Sequence, residues 1–355
     1  MRKISVLLAA AGLAAALLGG CADKTGAEES GRAESNTLYI YNWLVYTPDT
    51  VIEKFENEYG VTVIYDEFDS NESMYAKLRA GGSGYDIVFP SQDYASIMIN
   101  QNMLKKLDKS KLSNLENVSP EVLEKTTFDP GMDYSVPYFW GAAGITVNTA
   151  RVPVYEKSWS IFGRADLKGH MTMLDDMREV LGDALISLGY SANSSDPAQL
   201  DRAAKLVNDE WKPNLTKFDA EAFGEGYAKG DFWVVQGYPE VVALAIAGNP
   251  ELIKNTVFFI PPEGGPAYID YMCIPEGAKN VELAHKFINF IHRPEIYAEF
   301  CNSFGFPATA NSKAGALLQG TLLYEADELP KMELKYDLGE SLELYDKVWQ
   351  NIKVW

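Results

Sequence analysis

The residues best suited to hold a charged ligand stand in loops that follow predicted strands. Trp43 and Tyr46 come after the first run of aromatic and β-branched residues, which stops at Asn42. In open α/β sheets, ligands bind in the crevice outside the carboxyl ends of the strands. We therefore predict that Trp43 and Tyr46 form one wall of a binding site, although both could instead only cover the core.

Polar and acidic residues occupy the same kind of position later in the chain. Ser91 and Asp93 follow the third predicted strand, where they could also merely cap the next helix. Asp176 and Glu179 are three residues apart at the start of another helix, so they share one face. We expect Asp175 to cap that helix, which would leave Asp176 and Glu179 free to face a cleft.

Asp270 is the one acid in the apolar run 266–275. A buried carboxylate is costly unless it is paired, so Asp270 either meets a cation or holds a backbone group. Gln236 ends the buried strand predicted for residues 231–236 and completes the set. The residues predicted to bind the ligand are Trp43, Tyr46, Ser91, Asp93, Asp176, Glu179, Gln236, Tyr268 and Asp270.

Aromatic rings and carboxylates without a basic partner suit an elongated polycation. The ring faces attract ammonium groups by roughly 0.5–2 kcal/mol each. Burial of the seven methylenes of a molecule such as spermidine would add on the order of 5 kcal/mol. Arg178 is the one nearby base, and we place it off the shared face, so the set is unsuited to amino acids, phosphates or other anions. We find no nucleophile–base pair, phosphate loop or zinc-ligand spacing, and predict no enzyme activity, cofactor or metal.

The elements that position these residues alternate between strand and helix. Strands 38–42, 61–65 and 85–89 are separated by helical segments, which predicts right-handed βαβ units and a parallel sheet. The chain is long enough for two domains. The apolar strand 143–148 is long enough to leave one domain and enter the next, and we predict that it forms a hinge.

The first residues predict export and lipid anchoring. Arg2 and Lys3 precede an apolar run too short for a permanent span, and the run ends in Leu18-Gly19-Gly20-Cys21. This matches a bacterial lipobox. We predict a lipoprotein signal peptide over residues 1–20, lipidation (palmitate among the acyl chains) of Cys21, and a flexible tether over residues 21–36. The acyl chains would then be the only attachment to a membrane.

The excess of acidic over basic residues limits the kinds of partner that the protein is expected to bind. The formal net charge is −19, and loss of residues 1–20, which hold two bases and no acid, makes it −21. Such a charge argues against nucleic acid and against docking on anionic lipid. Cys273 and Cys301 remain after lipidation; they could pair, and we favour the alternative that both are simply buried.

Several segments resemble the spermidine/putrescine-binding proteins of bacterial ABC importers. The resemblance extends from about Thr37 to Asn311 and is weaker beyond. The segments that carry it are Tyr41-Asn42-Trp43, Asp69-Ser70-Asn71-Glu72-Ser73-Met74-Tyr75, Tyr85-Asp86-Ile87-Val88-Phe89-Pro90-Ser91, Asp133-Tyr134-Ser135-Val136-Pro137-Tyr138-Phe139-Trp140-Gly141 and Asp175-Asp176-Met177-Arg178-Glu179-Val180.

This resemblance implies an α/β fold of the type II periplasmic-binding-protein kind, in which two lobes close over a ligand. Each lobe would be a mostly parallel sheet flanked by helices, joined by a hinge of crossing strands. The lobes would be residues 37–143 with 268–312, and residues 144–267 with 313–355. The resemblance carries ligand roles to Trp43, Tyr46, Ser91, Asp176, Glu179 and Asp270.

The resemblance also implies the partners and the place of action. We expect a monomer, anchored in the periplasmic space, that delivers polyamine to an ABC permease and its ATPase. Asp176 favours spermidine over putrescine, because putrescine binders of this family tend to lack that acid. The alternatives are a polyamine-sensing lobe for a signalling partner and a protein that binds another small cation.

Several residues depart from the family pattern. Val45 stands where an acid is usual and Asp93 where an aromatic residue is common. We therefore predict that the charge anchor has moved from the loop around Val45 to Asp93. Tyr268 and Val235 replace tryptophans, Phe306 replaces a tyrosine, and Lys335 stands near a position that is often polar and uncharged.

Overall fold

The computed structural model describes residues 36–81 and 84–354. The predicted signal peptide, Cys21 and the predicted tether up to residue 35 lie outside this part of the chain. The strands within it are β1 (Thr37–Trp43), β2 (Thr62–Phe68), β3 (Ile87–Val88), β4 (Ser135–Ala142), β5 (Gly144–Asn148), β6 (Met171–Met173), β7 (Leu215–Phe218), β8 (Val234–Gly237), β9 (Thr256–Phe259), β10 (Pro266–Cys273) and β11 (Glu333–Leu334).

The helices alternate with these strands along most of the chain. They are α1 (Asp49–Tyr59), α2 (Asn71–Arg79), α3 (Gln92–Asn100), α4 (Pro120–Lys125), α5 (Met177–Ser187), α6 (Pro197–Leu206), α7 (Phe223–Lys229), α8 (Pro239–Ile246), α9 (Pro250–Lys254), α10 (Val281–Ile291), α11 (Pro294–Phe304) and α12 (Ser341–Lys353). None of the helices in the described ranges is both long enough and apolar enough to cross a membrane.

The first sheet has the strand order β11-β10-β3-β1-β2, with β4 paired to β10. The pairs β1–β2 and β1–β3 are parallel, as the alternation of strands and helices predicted. Helix α1 covers this sheet by burying Val51 and Phe55, which lie one turn apart, and it ends at Gly60 in the left-handed conformation. The antiparallel strands β4 and β10 extend the parallel part of the sheet.

The second sheet has the strand order β7-β6-β8-β5-β9. Strand β6 pairs in parallel with β7 and β8, and β5 pairs antiparallel with β8 and β9. The α/β architecture with two sheets and flanking helices is therefore confirmed. Each sheet combines a parallel part with antiparallel strands.

The chain passes between the two sheets at three places. β4 ends in the first sheet at Ala142 and β5 begins in the second at Gly144, within the segment predicted to act as a hinge. A Cβ on Gly144 would lie 2.5 Å from the ring of Phe258, so only glycine fits this crossing. The chain returns between β9 and β10, and crosses again between β11 and α12.

Each sheet has its own hydrophobic core. The first core surrounds β1, β3, β4 and β10, and the second surrounds β5, β6 and β8. In the last part of the chain, Leu329 and Leu334 pack in the first core, whereas Trp349 and Ile352 pack in the second. The lobe limits remain a proposal, and this packing favours assigning residues 314–334 to the first lobe rather than the second. Cys273 and Cys301 are buried free thiols.

Candidate ligand site

The predicted strand-end residues line a cavity between elements of the two lobes. Its volume is about 70 Å³. The first lobe supplies Trp43, Tyr46, Ser91, Tyr268 and Asp270. Other lining residues are Leu44, Phe68, Asp69, Ala220, Phe223, Tyr238, Glu240, Val241 and Lys335. Five of the nine residues predicted to bind ligand therefore meet at one cavity.

Trp43 and Tyr46 form part of the cavity wall and are also fixed to the core. The Trp43 indole Nε1 donates a hydrogen bond to the carbonyl oxygen of Phe89, at 2.9 Å, and its ring lies 4.6 Å from that of Phe68. Tyr46 is buried, and its hydroxyl donates to Asp270 Oδ2 at 2.8 Å. These contacts fix both rings before a ligand arrives.

Asp270 is held by two neutral hydroxyl groups. Ser91 Oγ donates a hydrogen bond to Asp270 Oδ1 at 2.6 Å, and the Tyr46 hydroxyl donates to Asp270 Oδ2. Burial raises the pKa of Asp270 to about 7, although both hydrogen bonds favour the ionised form. Asp270 forms no ion pair within the part of the chain that the structure describes. The sequence predicted a cation or a backbone group as its partner, and the protein supplies neither.

Ser91 immediately precedes helix α3, but its side chain does not cap the helix. Its hydroxyl turns to Asp270 instead, and its backbone N–H donates to Asn71 Oδ1 at 3.1 Å. The capping alternative for Ser91 is therefore wrong, and Ser91 acts as an orienting donor at the cavity.

Asp176 caps helix α5. Its Oδ1 accepts hydrogen bonds from the backbone N–H groups of Arg178 and Glu179, at 2.8 and 3.0 Å. The prediction that Asp175 would cap the helix is wrong, since Asp175 forms an ion pair with Lys353 at 2.7 Å. One oxygen of Asp176 thus has a structural task, because an acid at this position satisfies free N–H groups of the first turn.

Asp176 also lines a neighbouring, wider cavity of about 440 Å³. This second cavity shares Asp69 and Ala220 with the first. Its other acids include Glu72 and Asp219. The two cavities are therefore adjacent, and acidic residues line both.

Glu179 is completely buried and forms an ion pair inside the protein. Lys335 Nζ lies 2.5 Å from Glu179 Oε1, and both side chains are almost fully excluded from solvent. The Lys335 ammonium also lies 5.7 Å from the centre of the Tyr268 ring. Desolvation lowers the pKa of Lys335, but the carboxylates of Glu179, Asp176 and Asp93 outweigh it and raise the pKa above its ordinary value. Lys335 is therefore an ammonium.

Asp93 faces the guanidinium of Arg178, and both side chains are buried. Arg178 Nη1 lies 3.4 Å from Asp93 Oδ2 and donates more closely to the carbonyl oxygen of Tyr336, at 3.0 Å. Burial raises the pKa of Asp93, and the charges of Arg178 and Lys335 oppose this rise. Arg178 and Asp93 do not line the cavity that holds Asp270, so the prediction that Arg178 lies off the face of the site stays a prediction. Lys335 does line that cavity, and the prediction of a pocket without bases is wrong.

Gln236 serves the second lobe rather than the cavity. It is completely buried, and its Oε1 accepts a hydrogen bond from the backbone N–H of Leu174 at 2.8 Å. This bond ties the end of β8 to the residue after β6. Gln236 does not line the cavity that holds Asp270, and its predicted ligand role remains a prediction.

Glu240 is a cavity residue that the sequence reasoning missed. It lies in the first turn of α8, directly after β8, and burial raises its pKa to about 8. Its neighbour Tyr238 packs edge-on against Tyr268, at 5.7 Å between ring centres. Glu240 follows the carboxyl end of β8, just as Ser91 follows that of β3, and this position in the sequence indicates a site residue.

The fold and the cavity together define a class: a binding protein with two α/β lobes and a ligand site between them. The comparison with known families narrows this class. Residues 50–329 match the model of the bacterial extracellular solute-binding proteins, and the chain belongs to that family. Its members are binding proteins of ABC importers and are not enzymes, as the sequence predicted.

Individual proteins that are similar to this chain support the same family assignment. The "Spermidine/putrescine-binding periplasmic protein" of Escherichia coli K12 is 38% identical over 330 residues, which cover 90% of this chain and 92% of that protein. The crystal structure of the TpPotD lipoprotein of Treponema pallidum is 46% identical, with a TM-score of 0.86 over 89% of this chain and 99% of that one. A putative spermidine/putrescine ABC transporter structure from Listeria monocytogenes is 35% identical, with a TM-score of 0.81 over 90% and 99%. The resemblance drawn from the sequence and the two-lobe fold are thus confirmed.

Proposed function

We propose that this protein captures a polyamine between its two lobes and delivers it to an ABC permease and its ATPase. The observation that carries the proposal is Asp270, a buried carboxylate held by Tyr46 and Ser91 and without an ion-pair partner among the described residues. A ligand ammonium beside Asp270 would gain a charge-assisted hydrogen bond. The names of the similar proteins from Escherichia coli and Listeria monocytogenes support the same ligand class.

The cavity walls fit the carbon chain of such a ligand. Trp43 and Tyr268 offer aromatic faces, which cover methylene groups and attract ammonium groups. Glu240 places a second carboxyl group on the same cavity. A cation with at least two ammonium groups and an apolar spacer matches this combination of carboxyl groups and rings.

The order of preference among polyamines is a finer proposal. The sequence favours spermidine before putrescine, on the strength of Asp176. That order requires an amine to reach Asp176 or Glu179, and both side chains already have partners within the protein. The preference for spermidine is therefore an expectation from the sequence alone, and it is separate from the proposed capture of polyamines as a class.

We also propose that Cys21 carries the lipid anchor of a periplasmic, monomeric receptor. The segment Leu18-Gly19-Gly20-Cys21 supports the anchor, and the similar protein of Treponema pallidum is named a lipoprotein. Replacement of Cys21 by Ala would move the protein from the membrane fraction to the soluble fraction of cells. A Cys21→Ala protein that stays with membranes as firmly as the wild type would contradict lipidation.

Isothermal titration calorimetry tests the proposed ligand class. The protein from residue 21 onward, with Cys21 replaced by Ser, is titrated with spermidine, putrescine and glutamate. We expect saturable binding of at least one polyamine, with one site per chain, and no binding of glutamate. Tight glutamate binding without polyamine binding would contradict the proposal.

A further inference from the structure

Lys335 is held in place by the backbone of the first lobe. It directly follows β11, which runs parallel to the start of β10. Its backbone N–H donates to the carbonyl oxygen of Ala267 at 3.0 Å, and its carbonyl oxygen accepts from Gln92 Nε2 at 2.5 Å. The side chain therefore leaves a fixed point of the main chain and enters the interior.

The ammonium of Lys335 has the surroundings that a ligand amine would need. It lies 2.5 Å from the carboxylate of Glu179 and 5.7 Å from the ring centre of Tyr268. Lys335 is 4% exposed, and it also lines the cavity that holds Asp270. A carboxylate and an aromatic face around one ammonium form the same contact that cation-binding sites offer to a ligand.

We propose that Lys335 takes the place of one ligand amine, so that the site accepts a shorter cation with two ammonium groups rather than three. This inference rests on the proposed capture of polyamines. It makes Lys335 a residue that determines specificity. A diamine such as putrescine then fits the site better than the triamine spermidine.

The charged residues around the cavity explain why a diamine should bind better than a triamine. Lys335 pairs with Glu179 and Arg178 faces Asp93, so both buried acids already have a cation. Of the acids that line the cavity, Asp270 and Glu240 are buried and have no ion pair among the described residues. Asp69 also lines it, but this side chain is exposed and already accepts hydrogen bonds from two serine hydroxyl groups. Two carboxyl groups can pair with two amines. A third amine would find no further buried acid on this cavity and would approach the ammonium of Lys335.

The same charged residues argue against an anionic ligand. The charge of Lys335 is already compensated by Glu179 at 2.5 Å, so little of it is available to a carboxylate from outside. Such a ligand would also lie beside the carboxyl groups of Asp270 and Glu240. An anion would thus meet one cation that is already paired and the acids that line the cavity.

Calorimetry with putrescine and spermidine tests the role of Lys335. The wild-type protein is compared with Lys335→Gln, with Lys335→Arg as the variant that keeps the charge, and with the double variant Glu179→Gln/Lys335→Gln. We expect the wild type to bind putrescine more tightly than spermidine. Lys335→Gln should raise the ratio of spermidine affinity to putrescine affinity at least tenfold, because it opens Glu179 to the third amine. Lys335→Arg should leave the ratio within threefold, and the double variant should lose the gain.

The outcomes separate this inference from the proposed function. A folded Lys335→Gln protein with an unchanged ratio, or a wild type that prefers spermidine, would overturn the role of Lys335 and leave polyamine capture intact. If neither protein binds any polyamine, the proposed function itself fails. Circular dichroism and thermal unfolding show whether each variant is folded, and the wild-type order of affinities tests the inference even if Lys335→Gln does not fold.

Discussion

At the scale of single residues, the site depends on how each buried carboxylate is satisfied. Asp93 and Glu179 have internal cations, Asp176 caps a helix, and Asp270 has only hydroxyl donors. Among these four acids, Asp270 is thus the one that has neither an ion pair nor a helix N-terminus beside it. The pKa of Asp270 is raised to about 7 because burial outweighs the two hydroxyl donors and the charge of Lys335, which lower it.

Replacement of Asp270 by Asn should weaken polyamine binding at least tenfold. The amide keeps the shape of the side chain but removes the charge that a ligand ammonium would pair with. Calorimetry measures the change, and Asp201→Asn, at an exposed site on α6, serves as the matched control and should leave the affinity within twofold. If Asp270→Asn binds as tightly as the wild type, Asp270 has a structural role only.

Binding should tighten as the pH rises through the pKa of Asp270. A cationic ligand favours the ionised carboxyl group, so below about pH 7 binding must first release a proton. We expect roughly a tenfold gain in affinity between pH 6 and pH 8 from this group, and Glu240, with its pKa of about 8, adds to it. Calorimetry in buffers of different ionisation enthalpy counts the protons released. A pH-independent affinity would contradict this picture.

The unliganded protein should show the opposite trend in stability. Folding raises the pKa of Asp270, so the native state holds its proton more firmly than the unfolded state does. This contribution is fully present below the ordinary carboxyl pKa and is lost as the pH rises through about 7. Asp270→Asn removes it. The fall in melting temperature between pH 5 and pH 8 should therefore be smaller in Asp270→Asn than in the wild type, and an equal fall would exclude Asp270 as a cause.

Val45 adds backbone strain to the loop that carries the aromatic wall. Its φ is +52°, a left-handed conformation that β-branched residues rarely adopt. Val45→Asn should raise the free energy of unfolding by about 1 kcal/mol, since asparagine tolerates this conformation. Urea denaturation measures the gain, and Val154→Asn, at an exposed valine without positive φ, should show none. A loss of stability in Val45→Asn would show that the valine side chain matters more than the backbone.

At the scale of elements, helix α5 connects stability with the site. Asp176 caps it, and Glu179 extends from the same first turn to Lys335. Asp176→Ala should lower the free energy of unfolding by about 1 kcal/mol, whereas Asp176→Asn should keep most of the cap. Chemical denaturation distinguishes the two variants. Equal losses in both would mean that the charge of Asp176, rather than its cap, stabilises the helix.

Local pattern predicted the strands and the loops that hold the site. β1, β2 and β3 alternate with helices in the sequence, and the strand-end rule selected Trp43 and Ser91, which line one cavity. Pairings between distant elements could not be predicted in this way. Lys335 reaches Glu179 across 156 residues from a part of the chain where the resemblance is weak. The direction of Arg178 depends on Tyr336 and Asn193, which no local spacing reveals.

At the scale of the whole molecule, three crossings join two separate cores around one site. Cavity residues come from both lobes, so a ligand that contacts Asp270 and Glu240 would hold the lobes together. β11 connects the lobes directly, since the side-chain amide of Asn193 donates to the carbonyl oxygen of Leu334 at 2.8 Å. This arrangement supports the proposed capture of a ligand between two lobes, and the chain belongs to a family of binding proteins of ABC importers.

The most direct measurement of the central claim is native mass spectrometry of the protein after incubation with an equimolar mixture of putrescine, spermidine, glutamate and 4-aminobutyrate. The mass of the complex identifies which of the four compounds is bound. We predict one polyamine per chain, with putrescine ahead of spermidine, and loss of this species in Asp270→Asn. Retention of glutamate or 4-aminobutyrate in place of a polyamine would contradict the account.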